Sequence, residues 1–328
     1  MLCLGADVSN NKMNFLEYKM IKILLSAITL IAFSFSASAE TIGTTKGGAN
    51  YQTGIMVNKV MRQAGIQIIP VPHRSNDVYI QRANKGEIDY GIANPASLLY
   101  AYQGIKTAKK PNPNVRFVAN LQLFLVAVTV GNESGIDNIC GLNGKRAPFA
   151  TPDNTFHYYY NNVLAVCDLT YKNVKAVPIT STGQMIKKFT QKQTDWSLGV
   201  IGAGFMKKWQ MSWSGGIKTI SIPESAWDKT FGNMPGYFPV VVEPNPKFPY
   251  VRKPTTTIGF NMLLFAGKHV PDSHVYEAVK ALYKYASDFR KSGLTRSFDE
   301  SKMVFNAKDL GVPVHSGALK AYEELRLN

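Results

Sequence analysis

Twice in this chain a strand-like run, a capped helix and a second strand follow one another in the same order. That repetition restricts the fold more than any other feature. In the first unit residues 66–71 read as strand, Ser75 or Asn76 caps a helix ending near Lys85-Gly86, and residues 88–93 form the next strand. In the second, residues 174–178 lead to a cap at Thr180 or Ser181. A helix with Met185, Ile186 and Phe189 on one face follows, then a strand over 196–201. Strands alternating with helices pair in parallel, because each helix returns the chain to the same end of the sheet. An α/β class is expected.

Three more helices fit a 3.6-residue period. Val57, Val60, Met61 and Ala64 form one stripe. Phe156, Tyr159, Tyr160, Val163 and Leu164 form a second, after an Asp153-Asn154 cap. Asp272-Ser273 opens a longer one carrying Tyr276, Val279, Leu282, Tyr283, Ala286 and Phe289. Two extended segments, 121–130 and 255–266, exceed an ordinary strand, as strands shared between two lobes must. They read as a double crossover in a hinged protein. Lobe one is residues 40–125 with 262–328, and lobe two is residues 126–261.

The amino terminus carries an export signal. Lys19 and Lys22 precede an apolar run over 23–35, and Ala37-Ser38-Ala39 supplies small residues for cleavage. Cleavage there leaves Glu40 first, with Met1, Met13 and Met20 all available as starts. The apolar run is too short to span a bilayer, and no later stretch is long enough, so no membrane span is expected after its removal. The remaining part of the 328-residue chain suits two lobes better than one core.

The chain has 37 basic and 22 acidic side chains, a net charge of +15. A surface of that charge suits an acidic partner, an anionic membrane or nucleic acid. The lysine pairs at 109–110, 187–188 and 207–208 are scattered, however, and no nucleic-acid motif accompanies them, so no nucleic acid is expected. Of three cysteines, Cys3 precedes the leader. Cys140 and Cys167 remain, an even number in an oxidising compartment, and a disulfide between them is expected.

Candidate binding residues cluster at strand ends. The run Thr41-Ile42-Gly43-Thr44-Thr45-Lys46-Gly47-Gly48-Ala49-Asn50-Tyr51 is a strand turning through glycines into a helix. Such a turn offers bare N–H groups at a positive helix end, a site for an anion. No Lys-Ser or Lys-Thr follows Gly48, so it is not a nucleotide P-loop. Lys46, Gly47, Gly48, Ala49, Asn50 and Tyr51 are therefore candidate ligand contacts. Ser75 and Asn76, Asn94 at the end of a strand, and Asn154, Thr155 and Phe156 from the second lobe join them, with Gly202 beyond the strand over 196–201.

Five histidines, His73, His157, His269, His274 and His315, show no metal-ligand spacing beyond an i, i+5 pair, and no metal is expected. His315 is expected to order the C-terminal loop through hydrogen bonds. A secreted hydrolase using Asp153 and His157 is the alternative chemistry, but no nucleophile elbow or zinc motif accompanies them. No catalytic residue is assigned.

Several motifs carry a family resemblance. The glycine loop through Tyr51 resembles the opening T-G-x-x-G-G-x-Y-Y of the TAXI solute receptors of TRAP transporters, with Asn50 in place of the first tyrosine. Ser75-Asn76 followed by Gly86-Glu87-Ile88-Asp89 is similar to their G-S-x-x-N and G-x-x-D segments. Ser134-Gly135-Ile136 with Leu142-Asn143-Gly144-Lys145-Arg146 resembles S-G-I and L-x-G-K-R. Val312-Pro313-Val314-His315-Ser316-Gly317-Ala318 is similar to V-P-L-H-P-G-A, with Ser316 for proline.

The resemblance covers the exported chain. It implies a two-lobed periplasmic binding protein of type II-like fold, lobes joined by two crossover strands, with no catalysis and no cofactor. The implied ligand is a small organic anion of the acidic amino acid, dicarboxylate or 2-oxoacid kind. The implied partners are TRAP membrane subunits, the location is the periplasm, and a monomer is expected. A binding protein serving a periplasmic sensor is the alternative role. Asn154-Thr155-Phe156-His157 stands where G-T-R is common in the family, and Thr194-Asp195-Trp196-Ser197 replaces I-D-A-F.

Overall fold

A computed structural model describes residues 39–232, 234–304 and 309–327. The leader assigned to residues 1–39 lies, up to residue 38, outside the described residues. In chain order the first half runs β1 (Glu40–Thr45), α1 (Gly48–Gln63), β2 (Ile68–His73), α2 (Asn76–Asn84), β3 (Tyr90–Ala93), α3 (Pro95–Gln103) and the long β4 (Val115–Gly131). Then come β5 (Arg146–Phe149), α4 (Thr155–Ala165), β6 (Lys175–Pro178), α5 (Thr182–Thr190), β7 (Trp196–Val200), α6 (Gly204–Ser212) and β8 (Ile217–Ile220). The chain closes with α7 (Trp227–Thr230), β9 (Tyr237–Val242), β10 (Thr255–Gly267), α8 (Asp272–Lys284), α9 (Ala286–Phe289) and α10 (Ser316–Leu325).

The first repeat folds as read: β1 pairs in parallel with both β2 and β3. In the second repeat β5 pairs in parallel with β6, forming a separate two-stranded sheet. Parallel pairing does not extend to β7, which instead runs antiparallel beside β4. β7 still lies next to β5. Asp195 N–H donates to the Arg146 carbonyl, and the Arg146 guanidinium holds the Asp195 carboxylate at 2.5 Å.

The two long strands organise the rest. β10 pairs antiparallel with β3 over 263–266, with β4 over 258–267 and with β9 over 255–260. β4 leaves β10 at Val126, where it takes up β7 and then β8. Each long strand thus changes neighbours partway along, near 126 and 261. Both were expected as crossovers, and both are nearly continuously buried, as strands covered on two faces must be.

Helix packing follows the apolar stripes. Val57, Val60 and Met61 are fully buried on α1; each such side chain contributes about 1.5–3 kcal/mol through burial. Ala64, expected in the same stripe, lies past the helix end and is exposed. The helix expected from Asp272 breaks at Tyr285 into α8 and α9, and Tyr283 faces solvent rather than core. It opens at Asp272 as read, with Pro271 at the N-cap position.

Cys140, in a short turn before β5, and Cys167, just past α4, form a disulfide with Cα atoms 5.2 Å apart. His315 caps α10 by accepting the Gly317 N–H at Nδ1, and its own N–H donates to the Phe117 carbonyl of β4. Among the described residues no helix is long and apolar enough to cross a membrane.

Candidate functional site

In open α/β sheets the carboxyl ends of strands and the amino ends of the helices that follow them meet at one edge. Here five such ends face the same cleft. β1 delivers α1, whose first turn contributes Asn50. β2 delivers α2, with Ser75, Asn76 and Asp77, and β3 delivers α3 through Asn94. From the other side come α4, with Asn154, Thr155 and Phe156, and α5, with Ser181 and Thr182. They enclose an inner cavity of about 120 Å³. An outer cleft of about 900 Å³ adjoins it, and Arg74, Ser75, Asp77, Asn154 and Thr182 line both.

Capping decides which amides remain for a ligand. Asn94 accepts from the Ser97 N–H, Asn154 from the Phe156 N–H and Ser181 from the Gln184 N–H. The N-cap residues of α1 and α2 make no side-chain cap bond, although in the first turn of α2 the Asp77 carboxylate accepts its own N–H. Gly47 has no side chain to offer, and the Ser75 hydroxyl does not turn back, although a cap from Ser75 or Asn76 was expected. Asn76 is turned elsewhere, accepting from Asn50 Nδ2 at 3.1 Å and from the Tyr79 hydroxyl at 2.8 Å. Uncapped helix N-termini carry partial positive charge and donors facing outward, an arrangement that favours an anion.

The fixed charges agree. Lys46, Arg74, Lys85, Lys109 and Lys110 line the outer cleft, against Asp77 and Asp153. Arg74 has no hydrogen bond or ion pair among the described residues. Asp77 is buried and accepts the Thr107 hydroxyl at 2.8 Å, and burial pushes its carboxyl above the usual range. At the floor of the site the Tyr159 and Tyr237 hydroxyls bond each other, and Tyr237 donates to Asn94 Oδ1 at 3.0 Å. Burial holds both phenols well up and neutral. This chain of hydroxyls ties β9 and α4 to the end of β3.

Of the expected contacts, Asn50, Ser75, Asn76, Asn94, Asn154, Thr155 and Phe156 line the inner cavity, and Lys46 lines the outer cleft. Gly47 and Gly48 line neither cavity; both have a φ of 76°, the left-handed region that glycine enters without penalty. A Cβ on Gly48 would meet Thr182 Cγ2 at 3.1 Å, so the loop touches α5. Ala49 packs towards the core, and Tyr51 lines neither cavity. Gly202 is not brought to the cleft: its N–H donates to the Tyr250 hydroxyl at 3.0 Å, and the Phe248 ring stands beside it.

Sequence reasoning missed Arg74, Asp77 and the Ser181-Thr182 pair. Arg74 immediately precedes the Ser75-Asn76 motif at the end of β2, and that adjacency was the available signal. Asp153 and His157 form no catalytic pair. His157 Nδ1 lies 2.9 Å from the Ala150 carbonyl, and the Asp153 carboxylate accepts the Thr151 hydroxyl. Among the described residues no group of three His, Cys, Asp or Glu could hold a metal.

Solved structures share this architecture at low identity. Periplasmic binding protein BugD matches with TM-score 0.58 and 11% identity, covering 88% of this chain and 93% of its own. MatC from Rhodopseudomonas palustris, solved with bound malate, matches with TM-score 0.54 and 13% identity, covering 89% and 98%. PhnD1 from Prochlorococcus marinus, in complex with methylphosphonate, matches with TM-score 0.53 and 10% identity, covering 88% and 98%. The fold is that of the two-lobed periplasmic solute-binding proteins. At the level of sequence, the NMT1-like family model matches residues 42–325, and the chain belongs to the NMT1-like family.

Proposed function

We propose that this chain is an exported solute receptor that closes two lobes on one small organic anion and passes it to TRAP-type membrane subunits. The observation that carries the reading is the convergence of five helix amino termini and Arg74 on one cleft. A carboxylate entering that cleft loses water and must regain hydrogen bonds. The first turns of α1 and α2 supply N–H donors, and Arg74 and Lys46 supply charge.

Residues 40–125 with 262–328 form one lobe in this reading, and residues 126–261 the other. The change of strand neighbours near 126 and 261 supports those limits. The ordered motifs shared with TAXI receptors support the TRAP partner, and the leader supports the periplasm. The ligand class is an acidic amino acid, a dicarboxylate or a 2-oxoacid. MatC and PhnD1 were solved with anions, malate and methylphosphonate. Their likeness to this chain supplies the fold, so the choice of an anion here rests on the cleft.

Native mass spectrometry of exported protein, purified without refolding, is expected to show a retained anion. Calorimetry with carboxylates is expected to lose about 10- to 100-fold in affinity on Arg74→Gln, the range of a charge-assisted hydrogen bond. Tight binding of a neutral or cationic solute, with Arg74→Gln harmless, overturns the reading.

A further inference from the structure

Beyond the polar cleft lies a second, different space. A cavity of about 60 Å³ is walled by Val126, Met185, Leu198, Ile258 and Phe260. Three further residues, Phe156, Tyr159 and Val200, line both this cavity and the inner polar one, so the two adjoin through a shared wall. The only hydroxyl in the lining is that of Tyr159, already bonded to Tyr237. Nothing here offers a water a hydrogen bond beyond that committed group. An apolar space of this kind stays dry and takes an apolar guest.

Close-packed interiors do not keep such a space without loss, because the lining atoms forgo contacts. Its position makes it useful. Arg74 and Ser75 line the inner cavity and the outer cleft but not this space, which meets the inner cavity at Phe156, whose ring stands against Tyr159 and Tyr160. An anion held at the helix amino termini therefore points whatever it carries on its other side towards hydrocarbon. A second carboxylate sent there would be desolvated with no donor to meet it.

We infer that the ligand is a monoanion with an aliphatic substituent: the oxyanion sits among the helix amino termini, and a tail of up to about four carbons fills the apolar cavity. This rests on the anion-capture reading and narrows it, favouring members with an apolar side chain over dicarboxylates. Carboxylate and sulfonate heads share the chemistry required at the polar end.

The test is calorimetry on the exported protein, freed of retained ligand, with straight-chain carboxylates from acetate to heptanoate and the matching alkanesulfonates. Affinity is expected to rise about fourfold per added methylene, the worth of burying one CH₂, and to level off beyond about four tail carbons. Succinate and glutarate are expected to bind more weakly than butanoate and pentanoate. Leu198→Phe fills the cavity and is expected to flatten the series while leaving acetate binding in place. Should that variant fail to fold, Val126→Leu adds one methylene to the same space and is expected to shorten the series by one carbon.

A flat series in the unaltered protein, dicarboxylates that outbind monocarboxylates of equal length, or a slope unmoved by either variant overturns the tail site and leaves anion capture standing. Absence of binding by every carboxylate and sulfonate overturns anion capture itself, and this inference with it.

Discussion

Ser97 on α3 and Thr155 at the start of α4 share a hydrogen bond, Oγ to Oγ1 at 2.9 Å, with both hydroxyls buried beside the inner cavity. One belongs to the helix following β3 and the other to the helix following β5, so the bond crosses between the two sets of helix ends. Removing the Ser97 hydroxyl takes away the partner of the buried Thr155 hydroxyl, and removing that of Thr155 leaves Ser97 Oγ a long bond, 3.5 Å, from Asn76 Nδ2. Ser97→Ala or Thr155→Val is each expected to destabilise the protein by about 1–3 kcal/mol, and the double substitution by less than the two together. Denaturant unfolding measures all three. Scattering in the presence of ligand is expected to show a larger radius of gyration for the single variants. Additive losses with an unchanged profile would mean that the bond does not hold the cleft shut.

Asp77 gives the site a pH dependence whose sign follows from burial. Burial raises its carboxyl above the ordinary 3.8, so the folded protein holds the proton more tightly than the unfolded chain does. Stability therefore falls as pH rises from below 3.8 through the folded value, and the ionised carboxylate costs stability at neutral pH. Asp77→Asn keeps an oxygen to accept the Thr107 hydroxyl and removes the charge. It is expected to raise the melting temperature at pH 7, with the gain vanishing below about pH 3.8. Anion affinity at pH 7 is expected to rise as well, since a like charge leaves the cleft. A lower melting temperature at pH 7 would show that Asp77 is paired more favourably than its surroundings suggest.

Much of this was legible from short-range pattern. The caps Asn154 and Ser181 announced two helix starts because small polar side chains satisfy first-turn amides wherever they occur, whereas Asn94, read only as the end of a strand, also caps α3. The lengths of β4 and β10 announced strands shared by two halves. Pairing was less legible. The alternation before β7 does not say whether it joins β6 or β4, since a strand's own residues specify a buried surface and not the neighbour that covers it. The break at Tyr285 left no glycine or proline to mark it. Arg74 was overlooked because one exposed arginine among many basic residues is marked only by its place before Ser75-Asn76, until the fold sets it in one lining with Ser181 and Thr182. Gly202 erred in the opposite direction: a glycine after a strand resembles a ligand loop, yet a tertiary partner, Tyr250, took its amide.

The disulfide makes a separable contribution. The bond closes a loop spanning 27 residues, worth about 3.5 kcal/mol in the chain-entropy account. It ties the turn ahead of β5 to the end of α4, behind the helix that presents Asn154 and Thr155. Reduction is expected to lower unfolding stability by about that amount and to leave ligand affinity within a few-fold, because the cysteines are remote from the cleft lining. Alkylation in denaturant should label neither Cys140 nor Cys167 until reductant is added. Two labelled cysteines without reductant would exclude the bond.

Gly48 is constrained by its own backbone and by what lies opposite. Its φ of 76° disfavours any side chain, and an added Cβ would stand 3.1 Å from Thr182 Cγ2, closer than ordinary contact. Backbone strain alone would distort the turn at the start of α1 by an energy of roughly 1–2 kcal/mol. The contact with Thr182 would in addition press α1 and α5 apart, widening the cleft that both helix ends face. Gly48→Ala is therefore expected to weaken anion binding on the order of tenfold or more, and Gly48→Val to abolish it. Thr182→Ser removes the crowded methyl and keeps the hydroxyl. In the Gly48→Ala background it is expected to recover part of the affinity, since it relieves the contact and not the strain. Calorimetry on the two single variants and the double decides the matter. No recovery in the double would assign the whole loss to the loop, and full affinity in Gly48→Ala would remove the glycine turn from the site.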